Sequence, residues 1–212
     1  MKVAALYVQP SGIYSTPALV PGVEVDPWDE GRDARTYDGP WPVVAHPPCA
    51  RWCLLATFVE SRHPTLKKGD DGGTFSAALS AVRQWGGVLE HPAYSHAWPA
   101  HNLPAPLGWG VWLSTFCGGA VAAVLQHHYG HRSPKAAWLY AHGVALPDLD
   151  RRPPPKSTGV VVGYYNTRPR RLEGGVERLT KAERNATPPT FARVLLETAA
   201  SARRVVTVPA AQ

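Results

Sequence analysis

Three short apolar runs in this chain stop at proline, and that pattern restricts the architecture more than any other feature. Val3–Val8 ("VAALYV") closes on "QPSG", "PVVA" at 42–45 runs into His46-Pro47-Pro48-Cys49, and "GVL" at 87–89 leads to Glu90-His91-Pro92. Proline has no N–H for a sheet ladder and cannot enter a helix interior, so each run reads as a buried strand with a fixed end. "VEVD" at 23–26 is a fourth short strand candidate.

Between the strands, "GTFSAALSAVRQWG" from Gly73 has helical spacing. Phe75, Ala78, Leu79, Val82 and Trp85 share a face, and Gly86-Gly87 stops the helix. "GAVAAVLQHHYG" and "KAAWLYAHG" read as two strands joined by a polar turn around Tyr129 to Lys135. A last helix starts near Pro189, with Phe191, Val194, Leu195 and Thr198 on one face. No segment repeats, and 212 residues suffice for one core. The expectation is an α/β fold with a catalytic core over 1–145. A Pro/Arg-rich loop or arm follows over 146–178, and 179–212 returns a helix to the core and ends in a tail.

Open α/β sheets bind ligands at the carboxyl ends of their strands. That rule nominates Ser11-Gly12, Cys49 and Glu90. A thiol on a stiff Pro-Pro loop, followed at a later strand end by a lone carboxylate, suits covalent attack on an electron-poor ring. The thiolate adds to the ring while the carboxylate grips or protonates a ring nitrogen. A free cysteine is also commonly a small buried hydrophobe, and a strand-end glutamate is commonly an ion-pair partner. The tryptophans read as core or pocket wall, and Trp52 beside the cysteine is the exception that could serve as a stacking platform.

Net charge is +6, which fits a polyanionic partner such as DNA, although the C-terminal arginines equally suit a solvated surface. Three cysteines and an N-terminal apolar run soon broken by Pro10 lead to the expectation of a reduced, cytoplasmic protein. No apolar run has membrane-spanning length, so no membrane partner is expected. His46-x2-Cys49-x3-Cys53 is not a zinc spacing and the other histidines form no paired ligand pattern, so no metal is expected.

"HPPCARW" resembles the Pro-Cys nucleophile loop of the DNA cytosine-5 methyltransferases, and "VLEHP" is similar to their Glu-Asn-Val strand end, with His91 in place of Asn. "LQHHYGHRSPKAAWLYAHG" resembles their later strand pair with its Gln-x-Arg-x-Arg segment. "LTKAERNATPPTF" resembles their Leu-Thr-x-Arg-Glu segment before the closing helix. "PSGIYS" and "VEVDP" resemble their cofactor loop and acidic ribose-binding strand end. The order agrees through most of the chain.

The resemblance implies a reduced, Rossmann-like methyltransferase-type sheet and a flipped target base. It makes Cys49 the nucleophile at C6 of cytosine and Glu90 the clamp on N3 and the exocyclic amine. Pro48, Arg51, Trp52, His91, Tyr129, Arg132 and Lys135 would meet substrate or nucleic acid. S-adenosylmethionine would be the methyl donor, held by Ser11, Gly12, Glu24 or Asp26, and Asp33. The cofactor half is short, and only 146–178 is left for target recognition. Two alternatives remain: pyrimidine C5 chemistry with another donor or a free nucleotide, and a catalytically silent nucleic-acid-binding protein.

Overall fold

The structure is a computed structural model, and it describes residues 1–29, 31–156, 158–161 and 177–202. Its sheet has seven strands: β1 (Lys2–Leu6), β2 (Glu24–Trp28), β3 (Val43–Ala45), β4 (Gly87–Pro92), β5 (Leu113–Ser114), β6 (Gly119–Leu125) and β7 (Ala136–His142). They lie in the order β2-β1-β3-β4-β7-β6-β5. β1 to β4 are parallel, β7 is antiparallel to both β4 and β6, and β5 is antiparallel to β6. The strands expected from the proline-stopped runs are thus present.

The central strands are apolar on consecutive residues because both of their faces are covered. The helices are α1 (Ala56–Arg62), α2 (Thr74–Trp85), α3 (Ala97–Ala100), α4 (Lys181–Asn185) and α5 (Pro189–Ala200). On one face α2 sets Phe75, Ala78, Leu79 and Val82 against Ala4, Leu6, Val43, Ala45 and Leu89. On the other, α5 sets Phe191, Leu195, Leu196 and Ala199 against Val3, Ala5, Val44, Val88 and Leu139. Full burial of a side chain such as Phe75 or Leu195 stabilises by roughly 1.5–3 kcal/mol. The result is one mixed α/β unit with a helix layer on each side of the sheet.

The glycine pair after α2 does two different jobs. Gly86 ends the helix at φ 77°. Gly87, at φ 136°, begins β4 so close to β3 that a Cβ there would stand 2.0 Å from the Val43 carbonyl oxygen. Only glycine permits both the conformation and the approach.

The sequence reading did not place α1 or α3. Both are short and follow loops whose composition signals turns. Thr180 and Glu183 form a reciprocal capping box at the start of α4, within the "LTKAE" segment. Residues 146–156 hold neither helix nor strand, as expected, yet part of this stretch lies on the core. Leu149 is buried, Trp112 Nε1 donates to the Pro147 carbonyl at 2.9 Å, and the Asp150 amide donates to Tyr129 Oη at 3.0 Å. Val160–Val161 (β8) pairs in parallel with Glu177–Arg178 (β9). The rest of the expected arm, 157 and 162–176, and the tail from 203 lie outside the described residues. Among the described residues no helix is long and apolar enough to cross a membrane.

Candidate active site

The parallel strands carry their C-terminal ends to one edge of the sheet. β1 stands between β2 and β3, so the chain leaves it in opposite directions on its two sides. That makes the end of β1 the topological switch point of the sheet. Three loops meet at this edge: residues 7–15 after β1, 46–53 after β3, and 93–96 after β4. β6 is parallel to β4 in sense, since both oppose β7, and its end brings Gln126 to the same edge.

Strand alternation decides which face each strand-end side chain takes. Val44 and Val88 face α5, and His46 and Glu90, two residues further on, extend those rows. Glu90 is 7% exposed and accepts from His46 Nδ1 at 2.9 Å and from Gln126 Nε2 at 3.0 Å, one bond to each carboxylate oxygen. His46 Nε2 in turn lies 2.7 Å from the hydroxyl of Tyr14, a buried residue of the Ile13–Ser15 turn. Burial by itself would raise the Glu90 pKa. The hydrogen bond from His46 and the charge of Lys135 outweigh it and hold the carboxyl at about 2. Glu90 is therefore an ionised acceptor, which requires His46 Nδ1 to carry a proton.

Cys49 is half-buried on the loop after β3, between an exposed Pro48 and an exposed Ala50. Burial pushes its thiol pKa up, Cys53 and Glu90 add to the rise, and the charge of Lys135 opposes it. The cation acting on the thiol is thus Lys135, from the loop before β7, rather than Arg51. Arg51 is half-buried, and its carbonyl accepts from the Gly69 amide. Cys49 and Lys135, from two separate loops, are brought within electrostatic reach of Glu90 on β4.

Trp52 turns into the core. It is 8% exposed, its Nε1 donates to Asp71 Oδ2 at 2.8 Å, and its ring meets Phe75 and His101. Asp71 also accepts from the Gly73 and Phe75 amides and from Thr74 Oγ1, so one carboxylate ties the start of α2 to the cysteine loop. The Trp52 carbonyl accepts from the His96 amide at 2.8 Å, linking that loop to the one after β4. Trp52 braces the cysteine loop instead of offering an open ring face.

His91 points away from Glu90, into the layer under α2. It is fully buried, 5.2 Å from Phe75 and 6.2 Å from Trp98 between ring centroids. Neither ring nitrogen makes a hydrogen bond of good geometry among the described residues, although the Pro48 carbonyl favours the protonated ring. Burial prevails and lowers the pKa to about 4. His91 is a neutral core residue and does not share the face of Glu90.

The remaining expected contacts are divided. Tyr129 is half-buried against Phe191, with its hydroxyl engaged by the Asp150 amide. Arg132 is exposed and paired with both Glu177 and Glu183, so its charge is already met. Ser11 and Gly12 lie at the switch point, in a turn closed by the Gly12 amide donating to the Gln9 carbonyl at 3.0 Å.

The carboxylates expected to hold a cofactor ribose are placed differently. β2 runs on to Trp28, so Glu24 is at its amino end, opposite Lys2 and paired with it at 3.2 Å. That corrects its assignment to the strand end. Asp26 is in mid-strand, opposite Ala4, and bonded to Arg32 and Trp28. Asp33 caps the Ala34–Thr36 turn and pairs with Arg35. Among the described residues no group of three or more His, Cys, Asp or Glu side chains is placed to hold a metal ion.

Sequence reasoning missed His46, Tyr14 and Gln126 as site residues. His46 and Gln126 are the first residues after β3 and β6, so the strand-end rule that found Glu90 also applies to them. Tyr14 carries no such signal, because only the fold of the turn after β1 brings it back over β3. Comparison of the chain with protein-family models, with curated proteins and with solved structures finds no match.

Proposed function

We propose that this chain is a DNA cytosine-5 methyltransferase-like enzyme, in which Cys49 attacks C6 of a flipped cytosine clamped by Glu90. The observation that carries the reading is the pairing of a half-buried thiol with a buried, ionised carboxylate at neighbouring strand ends, under the one charge of Lys135. Addition to C6 makes C5 nucleophilic, and a carboxylate at N3 and the exocyclic amine stabilises the adduct. Lys135 favours loss of the thiol proton and the approach of a phosphate. Net charge of +6 supports DNA as the partner.

A reduced methyltransferase-type sheet belongs to the same proposal. It is supported by the four parallel strands, the switch point at β1, and the antiparallel β7 set beyond β4. S-adenosylmethionine, bound near Ser11 and Gly12, would supply the methyl group. The positions of Glu24 and Asp26 favour a second reading, the same pyrimidine chemistry with another donor.

The test is incubation with 5-fluorocytosine-containing DNA, with and without S-adenosylmethionine, followed by denaturing gel and intact mass. A covalent complex that needs the cofactor and is lost in Cys49→Ser supports methyl transfer. A Cys49 adduct indifferent to the cofactor supports the second reading. No adduct in either arm overturns both and leaves a binding protein, checked by salt-sensitive DNA affinity in Cys49→Ser.

A further inference from the structure

Around Glu90 on β4 runs a hydrogen-bonded chain whose other members come from three loops. Tyr14 Oη, His46 Nε2 and Nδ1, and Glu90 Oε2 are linked at 2.7 and 2.9 Å, and Gln126 holds the other carboxylate oxygen at 3.0 Å. Tyr14 is 4%, Glu90 7% and Gln126 1% exposed, and the His46 side chain is 14% exposed. Gln126 has no titratable proton, so it fixes the carboxylate without exchanging anything with it. His46 is the member that can both hold and release a proton within reach of Glu90.

An ionised carboxylate only accepts hydrogen bonds, and N3 of neutral cytosine also only accepts. The two repel unless a proton lies between them. Because the His46 bond and the charge of Lys135 keep Glu90 ionised, that proton is not resident on the clamp. We propose that His46 is a positioning residue that stores this proton and passes it through Glu90 to the ring nitrogen as Cys49 adds. The proposal rests on the Cys49 and Glu90 roles given above.

The step balances without a further reactant. Cys49 starts as the thiolate, its proton already lost to solvent, and His46 as the imidazolium. The sulfur pair forms the S–C6 bond, and the C5–C6 π pair becomes the C4–C5 double bond. The C4–N3 pair moves to N3, which takes a proton from Glu90. Glu90 takes the Nδ1 proton of His46 and ends ionised, as it began. Thiolate and imidazolium charges disappear together, and the Nε2–H of the neutral ring stays donated to Tyr14 Oη. Burial raises the Tyr14 pKa well above the ordinary phenol value, so Tyr14 orients the ring and keeps its own proton. The other titratable groups around this chain are His91 on β4, Lys135 before β7, and Cys49 and Cys53 on the loop after β3.

The experiment measures release of tritium from random-sequence duplex DNA carrying 5-tritiated cytosine, without a methyl donor, as a function of pH. Addition at C6 makes C5 exchange its hydrogen with solvent, so the rate reports addition alone. Wild type is expected to gain rate with unit slope at low pH, as thiolate accumulates, and then to level off as His46 loses its proton. His46→Gln should be slower by about 100-fold at neutral pH, the scale of a lost proton-transfer group. Its rate should keep rising with unit slope through the same range. Tyr14→Phe removes only the Nε2 partner and leaves the Nδ1 bond to Glu90 in place, so it should retain the levelling. Levelling unchanged in a folded His46→Gln, or lost in Tyr14→Phe, overturns the relay alone. No exchange in wild type overturns the Cys49 and Glu90 roles, and the relay with them.

Discussion

His46 and Glu90 end neighbouring parallel strands on the same face of the sheet, with Nδ1 of the one 2.9 Å from Oε2 of the other. Each strand supplies its residue two positions after a buried valine, so the pair is set by register before any side chain is considered.

Glu90 makes stability depend on acid. Its pKa is held at about 2 in the fold against 4.5 ordinarily. The stabilisation is complete above pH 4.5 and is lost as pH falls through 4.5 toward 2. The shift corresponds to about 3 kcal/mol. In urea unfolding from pH 6 to 2, the stability gap between wild type and Glu90→Gln should narrow by about that amount. A constant gap would show that folding does not lower the Glu90 pKa.

His91 acts over a higher range. Its folded pKa is about 4, below the ordinary 6.5, so the neutral buried ring stabilises fully above pH 6.5. That contribution is lost as pH falls from 6.5 to 4, by about 3 kcal/mol. His91→Leu, which keeps an apolar side chain between Phe75 and Trp98, should flatten the dependence of Tm on pH across this interval. An unchanged slope would mean that folding does not shift the His91 pKa.

Asp71 joins α2 to the cysteine loop through four hydrogen bonds. Asp71→Ala removes the acceptor for the Trp52 indole and for two amides at the start of α2. Unfolding in urea should show a loss of about 2–3 kcal/mol. If Trp52 braces the nucleophile loop, the same variant should also slow adduct formation with 5-fluorocytosine DNA. Lower stability with an unaltered rate would separate the two.

Gly87→Ala tests the contact between β3 and β4. A methyl group would stand 2.0 Å from the Val43 carbonyl oxygen, on a backbone at φ 136°. The strands must separate where Glu90 and His46 are held in register, and a loss of about 3 kcal/mol or more is expected by thermal unfolding. Gly73→Ala is the control. Its φ of 80° carries strain, but no atom lies within 4 Å of the new Cβ, so its cost should be smaller.

β1 to β4, β6, β7 and the two long helices were legible because proline and glycine mark their ends and the apolar spacing marks their faces, whereas the two-residue β5 carries no such signal. Cys49, Glu90 and Lys135 could be nominated from strand ends and from the family resemblance. Trp52 and His91 were nominated by adjacency in sequence, which says nothing about the face of the sheet. Alternation along β4 sends His91 under α2, and the Asp71 carboxylate draws Trp52 into the core. Glu24 was misplaced because β2 extends two residues beyond Asp26, to Trp28, which leaves the glutamate at the opposite end of the sheet.

The amino-acid order determined that strands form near these prolines and which polar residues lie close to their ends, since proline chemistry and apolar patterning act within a few residues. Only the tertiary structure decided the partners: that Tyr14 reaches His46 across 32 residues, that Gln126 reaches Glu90 across 36, and that the charge of Lys135 acts on both Cys49 and Glu90. Strand order and register set those meetings. Both come from covering two sheet faces with α2 and α5, a condition on the whole chain that no local stretch contains.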